Sequence, residues 1–135
     1  KELFQAISPA IIVLICKGDS ILLARTCYSR SPFMGLVAGF LETGESLEAC
    51  VHREVFEETG LQIRNLRYFG NQPWPYPSGL MVGFIADYAA GEIRLQKEEL
   101  SEAAFFDRNR LPPLPPPLSL ARRMIDWWLD CPSSR

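Results

Sequence analysis

Six glutamates, Glu42, Glu45, Glu48, Glu54, Glu57 and Glu58, fall within residues 39–61, "GFLETGESLEACVHREVFEETGL". A solvated helix face is the ordinary explanation for such a charge cluster. The helical wheel argues otherwise. At about 100° per residue, placing Leu47 at zero puts Val51 near +40°, Glu54 near −20° and Glu58 near +20°, with Glu57 on the edge near −80° beside Cys50. The face that would bury Leu47 and Val51 therefore also carries two carboxylates, while Ala49, His52 and Phe56 take the far side. Carboxylates three and four residues apart repel one another, and desolvating them is costly unless they protonate or gain cationic compensation. Arg53, four residues before Glu57, is one compensator. A hard divalent cation, Mg²⁺ or Mn²⁺, is the more effective one: it takes oxygen ligands and keeps positions open for water and phosphate, and the segment offers neither paired histidines nor paired cysteines for zinc.

The elements that must position these groups are legible nearby. Ser46 is a fitting N-cap and Gly60 a fitting C-terminal stop, so a helix is expected over 46–59. Upstream, "AIIVLICKGDSILLARTC" gives two β-rich runs around a Gly-Asp turn, the pattern of a hairpin, and "LVAGF" (36–40) reads as a short strand. Downstream, residues 66–70, 80–88, 91–95 and 103–107 read as strands and 118–130 as a closing amphipathic helix. Helices and strands without regular βαβ alternation favour an α+β fold with a mixed sheet. The run "LPPLPPPLS" (111–119) is excluded from a helix interior or a central strand, because proline lacks a donor and fixes φ. Its P-x-x-P spacing also admits an interaction module presenting polyproline II, a reading that leaves the glutamate cluster unexplained.

Composition narrows the function classes. At 135 residues and 47% hydrophobic, residues 1–135 fit one compact domain with a core that needs no staples. Fourteen basic and sixteen acidic residues give a net charge of −2, so no chain-wide basic field exists to hold a nucleic-acid backbone. Cys16, Cys27, Cys50 and Cys131 are widely spaced with no C-x-x-C pair, which suits reduced thiols and a cytoplasmic location. No apolar run approaches the ~20 residues of a membrane span.

The segment Gly39, Glu45, Arg53-Glu54-Val55-Phe56-Glu57-Glu58-Thr59-Gly60-Leu61 matches G-x5-E-x7-R-E-U-x-E-E-x-G-U, with U aliphatic, at every fixed position. It thus resembles the signature of the Nudix hydrolases. The resemblance implies a loop-helix-loop metal site on an α/β/α sandwich, and hydrolysis of a nucleoside diphosphate linked to another moiety. Glu54, Glu57 and Glu58 then bind metal, Arg53 orients them, and Glu57 or Glu58 acts on the attacking water.

Residues 71–81, "NQPWPYPSGLM", alternate proline with aromatic residues. Read alone, they make either a rigid surface turn or a preorganised wall for a base or nicotinamide ring. The core Q-P-W-P-aromatic-P is similar to a motif downstream of the Nudix box in the NADH pyrophosphatase subfamily, with Asn71 for Ser, Tyr76 for Phe and a varied end at Ser78-Gly79. The similarity runs from about Phe4 through the closing helix. It implies substrate contacts from Phe4, Phe40, Gln72, Trp74, Tyr76, Ser78 and Ala121, and further metal ligands in Glu99 and the carbonyl of Ala38. It also implies NAD(H) or a related dinucleotide as substrate, NAD-capped RNA as a second one, and a homodimer that completes the pocket. Members commonly carry a four-cysteine zinc ribbon ahead of the catalytic domain, which the four cysteines here do not form.

Overall fold

The computed structural model describes residues 8–27, 32–74, 79–96 and 98–132. Its elements run β1 (Ser8–Lys17), β2 (Ser20–Thr26), β3 (Val37–Phe40), α1 (Leu47–Thr59), β4 (Gln62–Trp74), β5 (Gly79–Ala90), β6 (Leu100–Asp107), a 3₁₀ turn (Arg108–Arg110) and α2 (Leu120–Asp130).

All six strands join one mixed sheet in the order β4-β5-β1-β2-β6, with β3 also on β1. The expected hairpin is β1 and β2, turning at Gly18, whose φ of +60° suits a residue without Cβ. β1 is the spine. It pairs in parallel with β5 along one edge and, along the other, with β3 and then β2. A strand covered on both faces should be apolar throughout rather than alternating, and "AIIVLI" is. Ile11, Val13 and Ile15 enter one core with Cys50, Val51 and Val55 of α1. Ile12 and Leu14 enter the other with Leu120, Met124, Ile125 and Trp128 of α2. The sheet is thus sandwiched between two helices.

α1 has the predicted ends: Ser46 accepts from the N–H of Ala49 through its side chain, and Gly60 closes the helix at φ +78° with its N–H on the carbonyl of Phe56. α2 is capped by Ser119, whose side chain accepts from the N–H of Arg122. The proline run ahead of it is packed onto the domain. Leu111 and Leu114 lie against the second core, Pro113 accepts from the N–H of Met34, and buried Pro115 accepts from Arg122.

Two strand expectations need correction. Residues 91–96 form no strand. Their N–H groups go to the end of α1 instead, Arg94 to the carbonyl of Thr59 (2.7 Å) and Gln96 to that of Glu58 (3.0 Å), satisfying carbonyls a helix end leaves open. β4 is also longer than expected and carries the first half of the Pro-aromatic motif, pairing Gln72, Pro73 and Trp74 with Met81, Leu80 and Gly79. Because β4 is an edge strand, a proline without a donor is tolerated there.

Candidate active site

α1 presents its carboxylates as the wheel requires. Cys50, Val51, Val55 and Glu58 are buried, Glu54 is half-buried, and His52, Phe56 and Glu57 are exposed. Glu58 is 6% exposed. Opposite them, β3 runs antiparallel to β1 with Ile12 facing Ala38 and Ala10 facing Phe40. Between β3 and α1 opens a cleft of about 480 Å³, lined on its polar side by Arg53, Glu54, Glu57, Glu58, Gln96 and Glu99 and on its apolar side by Ala10, Ala38, Phe40 and Met81. The 91–96 segment, bonded to the end of α1, leads the chain to Glu99.

Arg53 organises the carboxylates. It grips Glu45 with a two-bonded fork, Nε to Oε2 at 2.6 Å and Nη2 to Oε1 at 2.9 Å, and its Nη1 reaches Glu54 (3.3 Å) and Glu57 (3.2 Å). Nη2 also donates to the carbonyl of Phe40, tying the helix to β3. The Arg53 hydrogen bonds first, and the N–H of Glu42 second, hold the Glu45 carboxyl down at about 2. The expected Arg53–Glu57 pair is present, but Glu45 is the principal partner, a role that the G-x5-E spacing marked without explaining.

Glu58 has the opposite environment. Burial, then a hydrogen bond shared with Glu54 and the charges of Glu54, Glu99 and Glu57, push its carboxyl up to about 9. The ion pairs of Arg53 go to Glu42, Glu45, Glu54 and Glu57 and leave Glu58 uncompensated. Gly39 lets the backbone of β3 approach, since a Cβ there would collide with the carboxylate of Glu54.

Among the described residues no three His, Cys, Asp or Glu side chains form a ready ligand cage; Glu54 and Glu57 turn toward Arg53 and Glu58 toward Glu54. The donor set nonetheless suits a hard divalent cation, because it is all oxygen and includes a buried carboxyl without a counter-charge.

The structure brings Ala38, Phe40, Arg53, Glu54, Glu57, Glu58 and Glu99 to one cleft. Gln72 and Ala121 lie apart from that lining, at the start of α2. There the Gln72 amide donates to the carbonyl of Leu118 (3.1 Å) and accepts the N–H of Leu120 (2.9 Å), and Ala121 packs on the second core. One sheet row connects the two places, Gln72 beside Met81, Met81 beside Ala10 and Ala10 beside Phe40, about 14 Å across at ordinary strand spacing. Phe4, Tyr76 and Ser78 lie outside the described residues, as does the side chain of Trp74. Sequence reasoning missed Gln96 and Met81. Neither carries a chemical signal of its own; their places follow from the 91–96 segment and the β5 register.

A mixed sheet between two helices, with a glutamate-bearing helix entered from a short loop that turns at Gly44, is a Nudix architecture. The NUDIX domain model matches residues 7–128, and the chain belongs to the Nudix family. It is 50% identical over 128 residues to the NAD-capped RNA hydrolase NudC of Pseudomonas syringae pv. syringae (strain B728a), covering 95% of this chain and 46% of that protein. It is 49% identical over 133 residues to the NAD-capped RNA hydrolase NudC of Haemophilus influenzae (strain PittEE), covering 96% and 50%. The chain spans about half the length of these curated relatives. Among solved structures, a NUDIX hydrolase from Nitrosomonas europaea matches at TM-score 0.79 and 19% identity over 98% of this chain and 78% of that one. A UDP-X diphosphatase matches at 0.74 and 19% over 95% and 64%. At such identities the likeness concerns the fold.

Proposed function

We propose that this domain hydrolyses the diphosphate linkage of NAD(H), releasing NMN(H) and AMP, with NAD-capped RNA as a second substrate and Mg²⁺ or Mn²⁺ as cofactor. The observation that carries the chemistry is the buried carboxyl of Glu58 beside Glu54, Glu57 and Glu99, open to a cleft and without a cation of its own. The choice of substrate is supported by the names of relatives about 50% identical to this chain and by the Q-P-W-P-aromatic-P core.

Glu54, Glu57, Glu58 and Glu99, with the carbonyl of Ala38, would hold the cation. When bound, the cation supplies counter-charge for the diphosphate and acidifies a water. Arg53 keeps Glu54 and Glu57 at the cleft wall, and its fork on Glu45 fixes the loop before α1. Glu57 or Glu58 orients the water and takes its proton. Phe40, 58% exposed at the rim, offers a ring face to the nicotinamide, and Ala10 and Met81 supply an apolar wall. Trp74 completes the ring site from a second copy of the chain, which makes the working unit a homodimer. Phe4, Tyr76, Ser78, Gln72 and Ala121 complete the substrate surround, Gln72 through its hold on residues 118–120. Among the described residues no helix is long and apolar enough to cross a membrane, and the proposed location is the cytoplasm.

The test compares NADH, ADP-ribose, a nucleotide sugar and an oxidised nucleoside triphosphate, each with Mg²⁺ and with chelator. Fastest turnover of NADH, dependent on metal, is expected. Preference for another of the four would move the assignment to that nucleoside diphosphate derivative.

A further inference from the structure

Glu58 lies in the last turn of α1 and Glu99 just ahead of β6, yet one residue joins their backbones. The N–H of Gln96 donates to the carbonyl of Glu58 (3.0 Å), and the carbonyl of Gln96 accepts the N–H groups of Glu99 (2.9 Å) and Leu100 (3.0 Å). Glu58, Gln96 and Glu99 all line the cleft between β3 and α1. Two carboxylates placed together repel, and a loop free to move would carry Glu99 away from α1. The backbone bonds oppose that movement.

A contact between two glycines holds the 91–96 segment on the helix end. Gly60 and Gly91 both take left-handed φ, +78° and +101°. A Cβ on Gly91 would come within 2.7 Å of the carbonyl oxygen of Gly60, and one on Gly60 within 3.1 Å of that of Glu92. The first distance is closer than a side-chain carbon sits to backbone, so a side chain at position 91 would lift the segment off the helix. The N–H of Arg94 on the carbonyl of Thr59 (2.7 Å) extends the seam toward Gln96. Gly60 thus serves twice, as the stop of α1 and as the seat of the segment.

Glu99 is held from the other side by the residue after β2. Cys27 donates its backbone N–H to the carbonyl of Glu99 (3.0 Å) and its thiol to that of Glu98 (2.8 Å). Glu99 is therefore fixed between α1, through Gln96, and the end of β2, through Cys27.

We propose that Gly91 and Cys27 are positioning residues for cation binding: from outside the cleft lining, they keep Glu99 beside Glu58 before a cation arrives. The inference rests on the reading of Glu99 as a metal ligand, and adds how a ligand outside α1 is made to stay with those on it. A site whose acidic groups already stand together loses little binding energy in gathering them. Residues that orient metal ligands from behind commonly change affinity about ten- to a hundredfold when altered.

The test is Mn²⁺ binding by the full chain, read from the electron paramagnetic resonance signal of the free ion, so that turnover plays no part. Circular dichroism melting shows which variants are folded. Gly91→Ala and Glu99→Gln should each bind Mn²⁺ about tenfold more weakly than the parent. The double variant should bind no more weakly than Glu99→Gln alone, because both changes act through one ligand. Gly70→Ala, where an added Cβ meets nothing within 4 Å, should bind as the parent does. Cys27→Ala should lose about threefold, the worth of a weak donor, and Cys27→Ser, which keeps a donor, should recover it. Parental binding by either Gly91→Ala or Cys27→Ala, beside weakened binding by Glu99→Gln, would overturn the proposal and leave the ligand reading standing. Parental binding by Glu99→Gln would overturn both. A Gly91→Ala loss that adds in full to that of Glu99→Gln would mark a general disturbance of the fold and overturn the positioning role. Should Gly91→Ala not fold, Cys27→Ala takes its place in the comparison with Glu99→Gln.

Discussion

Arg53 and Glu45, eight residues apart, are joined by two charge-assisted hydrogen bonds of 2.6 and 2.9 Å, and this fork sets the loop before α1 against the helix that follows it. Glu45 also accepts the N–H of Glu42 through its side chain, so one carboxylate closes the loop on itself and onto the helix. Such a fork fits guanidinium geometry and not a lysine ammonium.

The fork makes an acid-side prediction. Glu45 is held at about 2 in the fold against an ordinary value of 4.5. A depressed carboxylate contributes stability that is fully present above the unfolded value and lost as pH falls through the folded one. Relative to Glu45→Gln, the parent should therefore be the more stable above about pH 4.5, and its advantage should vanish as pH approaches 2. Thermal melts of both proteins from pH 2 to 6 measure this; a difference independent of pH would show that the fork does not hold the charge.

Glu58 predicts the reverse trend in chelator. Its folded carboxyl sits near 9 and its unfolded one near 4.5. Between those values the unfolded chain is ionised and the folded site stays protonated, so stability declines as pH rises from about 4.5 to 9. Glu58→Gln removes the titration. In melts with chelator it should flatten that decline and exceed the parent in stability at pH 8. A variant less stable than the parent at pH 8 would show that Glu58 is not held neutral by burial.

Much of this site was readable from residue order. The α1 boundaries followed from Ser46 and Gly60, and the inward turn of Glu54 and Glu58 followed from the 3.6-residue period, because both are local properties of the chain. The 91–96 segment resisted the same reasoning. "GEIRL" has strand-like alternation, yet its N–H groups satisfy the end of α1, a partner more than thirty residues away that no local pattern announces. The start of the Pro-aromatic motif was hidden in the same way: Gln72, Pro73 and Trp74 extend β4 against β5, and an edge strand with an open donor side accommodates Pro73. Gln72 shows the limit of transferring roles by motif: its amide is engaged by the carbonyl of Leu118 and the N–H of Leu120, contacts that only the folded chain brings together.

The shared-pocket arrangement predicts complementation. If Phe40 and Trp74 reach one nicotinamide from different copies, Trp74→Ala and Glu58→Gln, each inactive alone, should regain partial NADH hydrolysis when mixed and allowed to exchange. Each mixed pair rebuilds one intact site from one unaltered ring wall and one unaltered carboxylate cluster. Full activity from a clean monomer by sedimentation would place all ring contacts within one chain.

The central claim is that the carboxylates around Glu58 hold a divalent cation that drives cleavage of a dinucleotide. Its most direct test is the rate of AMP release from NADH at saturating Mg²⁺, measured for the parent and for Glu58→Gln. The parent should be active with Mg²⁺ and inactive in chelator, and the folded variant should fall by orders of magnitude. Near-parental turnover by Glu58→Gln, or turnover by the parent in chelator, would contradict it.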